Sequence, residues 1–208
     1  TIDDIVDVIE QENTEDLQKM AAMTPIDEEY LKTGVFTLAR HRLIWLLILM
    51  ISATFTGRII IKFEELLQSA VVLTTFIPML MDTGGNSGSQ SSTLIIRGLA
   101  LEEIRLRDIL KVFWKEFRVS SIVGISLAAV NFIRIYYLEK IDLMVSITVS
   151  ISLLFTVIVA KVVGGVLPII AKKLKFDPAI MAGPLITTIV DVVALTIYFS
   201  LASSILAI

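Results

Sequence analysis

Residues 78–92, PMLMDTGGNSGSQSS, follow an apolar run at 66–77 and interrupt it with aspartate, glycines, amides and serines. An apolar run of this kind is typical of a membrane segment, in which backbone groups must find partners inside the protein. Irregular backbone survives at membrane depth only where it is buried in protein or lines water. The stretch therefore predicts a tight crossing of helices through small residues, a polar vestibule at the end of a membrane span, or both, and its composition favours the vestibule.

The composition of the whole chain indicates a helical membrane protein. Of 208 residues, 55% are hydrophobic and 19% are charged, and the mean hydropathy is +0.83, whereas a soluble domain is about a quarter charged. The charges are clustered, which leaves windows for the roughly 20 apolar residues that cross a bilayer. The chain has no cysteine and one histidine, His41, which excludes Cys-ligated metals and a multi-His site within one chain. We expect His41, beside Arg40 and Arg42, to be an interfacial anchor.

Apolar windows predict an all-α membrane protein with five spans. The predicted spans cover residues 43–61, 66–81, 120–137, 143–171 and 179–207. Thr-Pro at 24–25 ends an acidic N-terminal segment, and a second helix is predicted to open with acids in its first turn, at Asp27, Glu28 and Glu29. We expect this helix to lie at the membrane interface and to lead into the first span. Residues 99–118 are predicted to form a separate amphipathic surface helix.

The placement of Lys and Arg predicts the orientation of these spans. One side carries only Arg58, Lys62, Arg134 and Lys140, and the loops on the other side hold the remaining basic residues apart from Lys161 within span four. The positive-inside rule then places the N-terminus in the cytoplasm and the C-terminus outside a multi-pass plasma-membrane protein. Since the chain begins on Thr without a signal peptide, we expect it to be a piece of a longer protein. An odd number of spans without internal duplication favours a pathway formed by two copies.

Asp191 is the residue whose insertion into the membrane costs the most free energy. It falls near the middle of the predicted fifth span, where a carboxylate costs about 2.5 to 3.5 kcal/mol on insertion scales. Gly183, Thr187 and Asp191 are spaced by four and share one helix face, and Pro184 is predicted to free a backbone carbonyl one turn earlier. Carboxylate, hydroxyl and backbone oxygens are hard ligands that suit magnesium, calcium or manganese.

Lys161 leaves a second interpretation open. Asp191 could pair with this buried base or cap a neighbouring helix, and it would then be structural. We expect the Lys161 ammonium to extend toward the cytoplasmic interface, and the alternative is that it serves as counter-ion to Asp82 or Asp191.

Two long segments resemble the signatures of one family. Residues 78–104, PMLMDTGGNSGSQSSTLIIRGLALEEI, and residues 177–191, DPAIMAGPLITTIVD, look like the two signature segments of the MgtE family of magnesium channels. In addition, residues 1–23 are similar to the end of the CBS domain that precedes the membrane part in that family. The resemblance implies a CBS remnant at 1–24, a connecting or plug helix at 25–42 with Asp27, Glu28 and Glu29 as gating residues, and a five-helix channel domain at 43–208.

The resemblance also implies a homodimer whose ion pathway follows the two-fold axis, lined by spans two and five. Asp191 and Thr187 match the magnesium-binding positions, so Mg²⁺ is implied as the transported and pore-bound ion. Gly183 falls where some members carry Asn, so a side-chain ligand is absent there. The other residues that we expect to line the pore and vestibule are Pro184, Thr188, Asp82, Gly84, Gly85, Asn86, Gly88 and Gln90. The cytosolic regulatory domains of the family are expected to be missing from this chain.

Three classes of function are compatible with these residues. The prediction is a magnesium-selective channel that conducts the hydrated ion, because magnesium dehydrates reluctantly. The alternative is a proton- or sodium-coupled secondary transporter of divalent cations, since broken helices near the midplane also suit transporters. An intramembrane enzyme using Asp82 and Asp191 lacks Cys and His partners and is not expected. We expect the lipid bilayer, a second copy and Mg²⁺ as partners, and no nucleic acid.

Overall fold

The computed structural model describes residues 2–26 and 28–207, and every regular element in these residues is helical. The α-helices are α1 (Ile2–Met20), α2 (Val35–Lys62), α3 (Glu64–Ser69), α4 (Ile77–Ala100), α5 (Ile109–Ile133), α6 (Leu143–Lys173) and α7 (Pro184–Leu206). Short 3₁₀-helices at Val71–Phe76, Leu106–Asp108 and Pro178–Met181 and a π-helical turn at Arg134–Leu138 connect them. The prediction of an all-α chain is confirmed for this part of it.

In the described residues, four helical segments are long and apolar enough to cross a membrane. They are Val35–Lys62, Leu106–Leu138, Leu143–Lys173 and Pro178–Leu206. These segments contain the predicted first, third, fourth and fifth spans, apart from the last residue of the fifth. The fourth prediction, 143–171, matches α6 to within two residues, because its apolar run is long and ends in a pair of lysines.

The predicted second span, 66–81, is wrong in its position. Helix α3 ends at Ser69, a 3₁₀-helix follows, and α4 begins at Ile77. The polar stretch that the sequence predicted to be broken backbone lies inside α4 as regular helix. Pro78 falls in the first turn of α4, where its missing N–H leaves no hydrogen bond unmade. Helix packing therefore overrides the local loop signals of glycine, asparagine and serine.

Both predicted surface helices are also wrong. Residues 28–34 form turns and bends, and α2 begins at Val35 after an extended Gly34 and continues through Lys62 without a break. Glu28 and Glu29 are therefore exposed turn residues, and Asp27 lies outside the described residues. Residues 99–118 do not form one helix, because α4 ends at Ala100, a turn follows, and residues 109–118 are the beginning of α5.

Helix α7 begins later than predicted. Ala182 is extended, Gly183 has φ 50° and ψ −125°, and Pro184 is the first residue of α7. Proline is favoured at that position because its fixed φ is already helical. Pro184 consequently interrupts no hydrogen-bond ladder, and the carbonyl predicted to be freed at Ile180 does not arise. Asp191 lies about 10 Å along α7 from its start.

Helix α6 occupies the centre of the bundle, and α4, α5 and α7 pack on it. Many of its buried residues are small serines, threonines and glycines, which permit close approach of three neighbours. The largest apolar cluster joins the 3₁₀-helix 71–76 and α4 to α6 and α7. Within it, the fully buried Tyr198 donates its hydroxyl to the Leu73 carbonyl at 2.9 Å, which pins the irregular segment to α7.

Candidate ion pathway

Glycines of α4 pack directly on α7. A Cβ on Gly85 would lie 2.9 Å from Cγ2 of Thr187, and a Cβ on Gly84 would lie 2.9 Å from Cγ1 of Val190. Both distances are shorter than van der Waals contact, so a larger residue requires the Thr187 or Val190 side chain, or the helix that carries it, to move. Two of the sequence-predicted pathway residues, Gly85 and Thr187, are thereby brought into contact.

Glycines also bring α4 against α6. A Cβ on Gly164 would overlap the backbone carbonyl of Gly88, and a Cβ on Gly88 would lie 3.3 Å from the Ala160 carbonyl oxygen. The two helices therefore meet almost backbone to backbone, as small residues allow in membranes. The tight crossing that the sequence left open is present in the structure.

The opposite face of α4 is polar and exposed. Asp82, Asn86 and Gln90 follow one another at intervals of four residues, and all three are exposed, whereas Gly84, Gly85 and Gly88 are buried. The sequence treated these six residues as one vestibule, but the helix divides them into a packing face and a free face. Polar groups are costly against lipid, so a free polar face at membrane depth requires water or another protein surface.

Asp191 is half-buried on α7 and is not paired with a base. None of the ion pairs found within residues 2–26 and 28–207 includes it. The hydroxyls of Thr187 and Thr188 both donate to the Pro184 carbonyl at 2.9 Å, which fixes their protons and leaves their oxygens as acceptors. Residues 187 and 191 thus share a face, as predicted, while Gly183 and Pro184 form the start of α7.

Metal-binding capacity within one copy is limited. In the part of the chain that the structure describes, no group of three or more His, Cys, Asp or Glu side chains is placed to hold a metal ion. Asp191 therefore offers one carboxylate per copy. Any site for a cation there has to draw its other oxygens from threonine hydroxyls, backbone, water or a second copy.

Lys161 does not extend to the interface, contrary to the prediction. It is buried in α6, and its ammonium donates to the Gln90 Oε1 at 3.1 Å rather than to Asp191 or Asp82. This contact could not be predicted from the sequence, because the two residues are 71 positions apart. A lysine inside an apolar run was the available signal that a buried acceptor exists.

Two serines next to the glycines attach α4 to its surroundings. Ser91 donates to Glu116 Oε2 of α5 at 2.6 Å, and Ser92 donates to the Met181 carbonyl at 2.8 Å. Both serines are buried. They fix the register of α4 against α5 and against the segment that leads into α7, and sequence alone did not identify either partner.

Helix α1 docks on the loop between α6 and α7. Lys19 Nζ lies 2.6 Å from Asp177 Oδ2 and 2.6 Å from Glu15 Oε1. The hydrogen bonds that Lys19 donates to Asp177 and Glu15 raise the pKa of Lys19 above its usual range. Burial, and then the neighbouring Asp177 carboxylate, raise the pKa of Asp16. The carbonyl of Met20 lies so close to Gly183 that a Cβ there would overlap it.

The predicted gating residues take another position. Glu29 pairs with Lys32 at 2.8 Å, and both side chains are exposed. Glu28 and Glu29 line a cleft of about 630 Å³ between α1 and residues 23–42. His41 attaches α2 to the segment before it: its Nδ1 lies 3.2 Å from the Thr24 carbonyl oxygen, and the Thr24 N–H donates to the His41 carbonyl.

These features define a helical membrane protein with several spans, in which α4 packs by its glycines on α6 and α7 and has a polar, exposed opposite face. Comparison with known proteins is consistent with this class. Residues 77–201 match the MgtE family, described as divalent cation transporters. The chain is 39% identical over 202 residues to the magnesium transporter MgtE of Thermus thermophilus, covering 97% of this chain and 44% of that protein. It is 37% identical over 204 residues to the magnesium transporter MgtE of Bacillus subtilis, covering 98% and 45%.

The chain belongs to the MgtE family. It spans less than half the length of the curated relatives that it matches.

Proposed function

We propose that this chain is the membrane part of a magnesium-selective channel, in which hydrated Mg²⁺ passes between two copies along α4 and α7. The observation that carries the proposal is the exposed polar face of Asp82, Asn86 and Gln90 on a helix whose other face is glycine-packed. Facing lipid, these side chains would be costly, whereas two such faces enclose a polar space. The named relatives are magnesium transporters, which supports Mg²⁺ as the ion.

Helix α4 is proposed as a fifth crossing. Its 24 residues extend about 36 Å, more than the roughly 30 Å of hydrocarbon. Lys172 Nζ donates to the Leu99 carbonyl at 2.9 Å, so the ends of α4 and α6 lie on the same side. That side also carries Arg97, Lys173 and Lys175, and the positive-inside rule therefore supports a cytoplasmic N-terminus in the plasma membrane.

Asp191 is proposed to bind the hydrated ion through its water shell, and Thr187 to contribute oxygen one turn earlier. Magnesium usually keeps several waters and is bound by one or two carboxylates. One Asp191 from each copy supplies two carboxylates, which match the charge of the ion. The absence of a larger acidic cluster within the described residues is compatible with this mode of binding.

Magnesium uptake by proteoliposomes under an applied potential tests the channel against the coupled transporter. A channel is expected to give a flux that depends steeply on the potential and moves neither protons nor sodium. Simultaneous measurement of internal pH and sodium supplies the comparison. Proton or sodium movement in fixed ratio to magnesium at zero potential would favour the coupled transporter.

The dimeric arrangement predicts that Asn86→Cys cross-links two copies. The chain has no native cysteine, so a short bifunctional thiol reagent reports only the introduced residue. The matched control is Ile122→Cys on α5, which is 71% exposed. We expect a covalent dimer for residue 86 and little for residue 122, measured on denaturing gels. Equal cross-linking at both positions, or at residue 122 alone, would contradict the pathway between α4 faces.

We further propose that residues 1–24 are the end of a CBS domain and that residues 25–42 connect it to the channel. The ion pair between Lys19 and Asp177 supports a direct contact from this segment to the loop that precedes α7. Movement of the attached cytosolic domain would thereby reach the helix that carries Asp191. Regulation by domains outside this chain would then act through α1 as well as through the connecting segment.

Lys19→Met is expected to release α1 from that loop. Loss of the pair should remove about 1 kcal/mol of local stability and raise the hydrogen exchange of α1 amides. The raised pKa of Lys19 means that this stabilisation is complete below the ordinary value of 10.5 and is lost only as pH rises through the raised value. The effect should therefore be the same throughout the neutral range. Lys32→Met, which breaks an exposed pair, is the control and should leave α1 exchange unchanged.

A further inference from the structure

Lys161 carries a buried charge that the proposed pathway has not used. The residue lies about 18 Å before the C-terminal end of α6, and only 6% of it is exposed. None of the ion pairs found in the described residues involves it. Buried ammonium groups normally have a carboxylate partner. The Gln90 amide oxygen that accepts its hydrogen bond is uncharged, so this contact satisfies one donor and supplies no negative charge to balance the ammonium.

Gln90 connects this charge to the exposed face of α4. It is the third member of the polar series that begins at Asp82. The backbone at Lys161 cannot move away from α4, because the preceding residue, Ala160, packs against Gly88. A Cβ on Gly88 would lie 3.3 Å from the Ala160 carbonyl oxygen. The ammonium is therefore held within one hydrogen bond of the polar face.

The position of Gln90 along the pathway follows from the packing of α4 on α7. Gly85 lies against Thr187, and Ser92 donates to the Met181 carbonyl, so the two helices run antiparallel. Gln90 lies between these two contacts, farther from Asp191 and nearer to the Arg97 end of α4. An ion leaving Asp191 toward that end passes Gln90.

We propose that Lys161 determines how tightly the pathway holds divalent ions, by placing a fixed positive charge at Gln90 that prevents a second tight cation site beyond Asp191. The inference rests on the proposed function. Repulsion of a divalent ion is twice that of a monovalent ion at the same potential. Conduction requires binding that is strong enough to admit an ion and weak enough to release it. Asp191 supplies the binding, and Lys161 favours release toward the Arg97 end.

The test is the dependence of uptake on Mg²⁺ concentration in proteoliposomes containing the wild-type chain, Lys161→Met and Lys161→Arg. Removing the charge is expected to lower the half-saturating Mg²⁺ concentration by about tenfold, which is the low end of the range for local electrostatic focusing. The maximal rate should fall as well, because the ion leaves more slowly. Lys161→Arg keeps the charge and should retain wild-type values. Lys161→Gln provides the same measurement if the methionine variant does not assemble.

A lower rate with an unchanged half-saturating concentration would overturn the inference, since it indicates a structural role for Lys161. Wild-type behaviour of an assembled neutral variant would overturn it as well. Asp191→Ala is measured in parallel. If that variant loses uptake while the neutral Lys161 variants keep the wild-type half-saturating concentration, this inference fails and the proposed function stands. If Asp191→Ala transports normally, the proposed function itself fails.

Discussion

Asp191→Ala is expected to reduce Mg²⁺ uptake at least about a hundredfold while the two copies remain assembled. Electrostatic groups aimed at an ion in a water-poor site are worth several kcal/mol, and two are removed at once in a dimer. Asp191→Asn keeps the shape and one oxygen but removes the charge, so it should fall nearly as far. The measurement is uptake under an applied potential at matched protein density, with assembly followed by gel filtration.

The free energy of unfolding of the Asp191→Ala variant is an independent test of the role of Asp191. An unpaired carboxylate in a membrane helix costs about 2.5 to 3.5 kcal/mol on insertion scales. If Asp191 serves the ion, its removal should leave the free energy of unfolding equal to the wild type or raise it. If Asp191 holds the bundle together, the alanine variant should unfold more easily. Loss of flux without loss of stability therefore separates a site from a structural residue.

Thr196→Val is the matched control in the same helix. The Thr196 hydroxyl is exposed and donates to the Val192 carbonyl of its own helix at 2.7 Å, so it offers little to an ion. We expect uptake to stay within about twofold of the wild type, because the change removes no charge.

Flux at the wild-type level in Asp191→Ala would mean that the carboxylate is structural and that the central assignment is wrong.

The parts of the fold that sequence predicted are those in which one signal dominates. The apolar run of α6 predicts that helix to within two residues, because a run of this length has no other stable arrangement in a membrane. Asp191 is identified by the free-energy cost of inserting its carboxylate into a membrane, and its place on the same helix face as Thr187 follows from helical spacing. The start of α7 was not predicted, although the sequence carries its signal, because Gly183-Pro184 is the ordinary pattern of a residue before a helix followed by proline in its first turn.

The parts that sequence could not predict depend on partners far along the chain. Residues 82–92 were predicted to be broken backbone at the end of a span, because glycine, asparagine and serine are weak helix formers. They form a helix because Gly84, Gly85 and Gly88 gain close contacts with α6 and α7 that no local rule contains. The partners of Ser92 and Lys161 are likewise 89 and 71 residues away. Inward and outward faces of α4 become distinguishable only when those neighbours are in place.

Gly164→Ala is expected to have the largest effect on the bundle. A Cβ at this position would overlap the backbone carbonyl of Gly88, and backbone cannot be relieved by a side-chain rotation. Overpacking typically costs about 1 to 3 kcal/mol of stability, and we expect Gly164→Ala to lie at the upper end of this range. Relief of this overlap would push α4 away from α6 and rotate the polar face of α4. We expect a lower unfolding temperature in detergent and strongly reduced Mg²⁺ uptake.

Gly57→Ala is the matched control, because a Cβ at Gly57 of α2 would find nothing within 4 Å. Alanine is the better helix former by up to about 1 kcal/mol, so this variant should be as stable as the wild type or slightly more stable, with unchanged uptake. The same chemical change is thus expected to have opposite signs in two helices of one chain. Similar unfolding temperatures for the two variants would contradict the close α4–α6 contact. A different reason would then be needed for the two faces of α4, of which one carries the inward glycines and the other carries Asp82, Asn86 and Gln90.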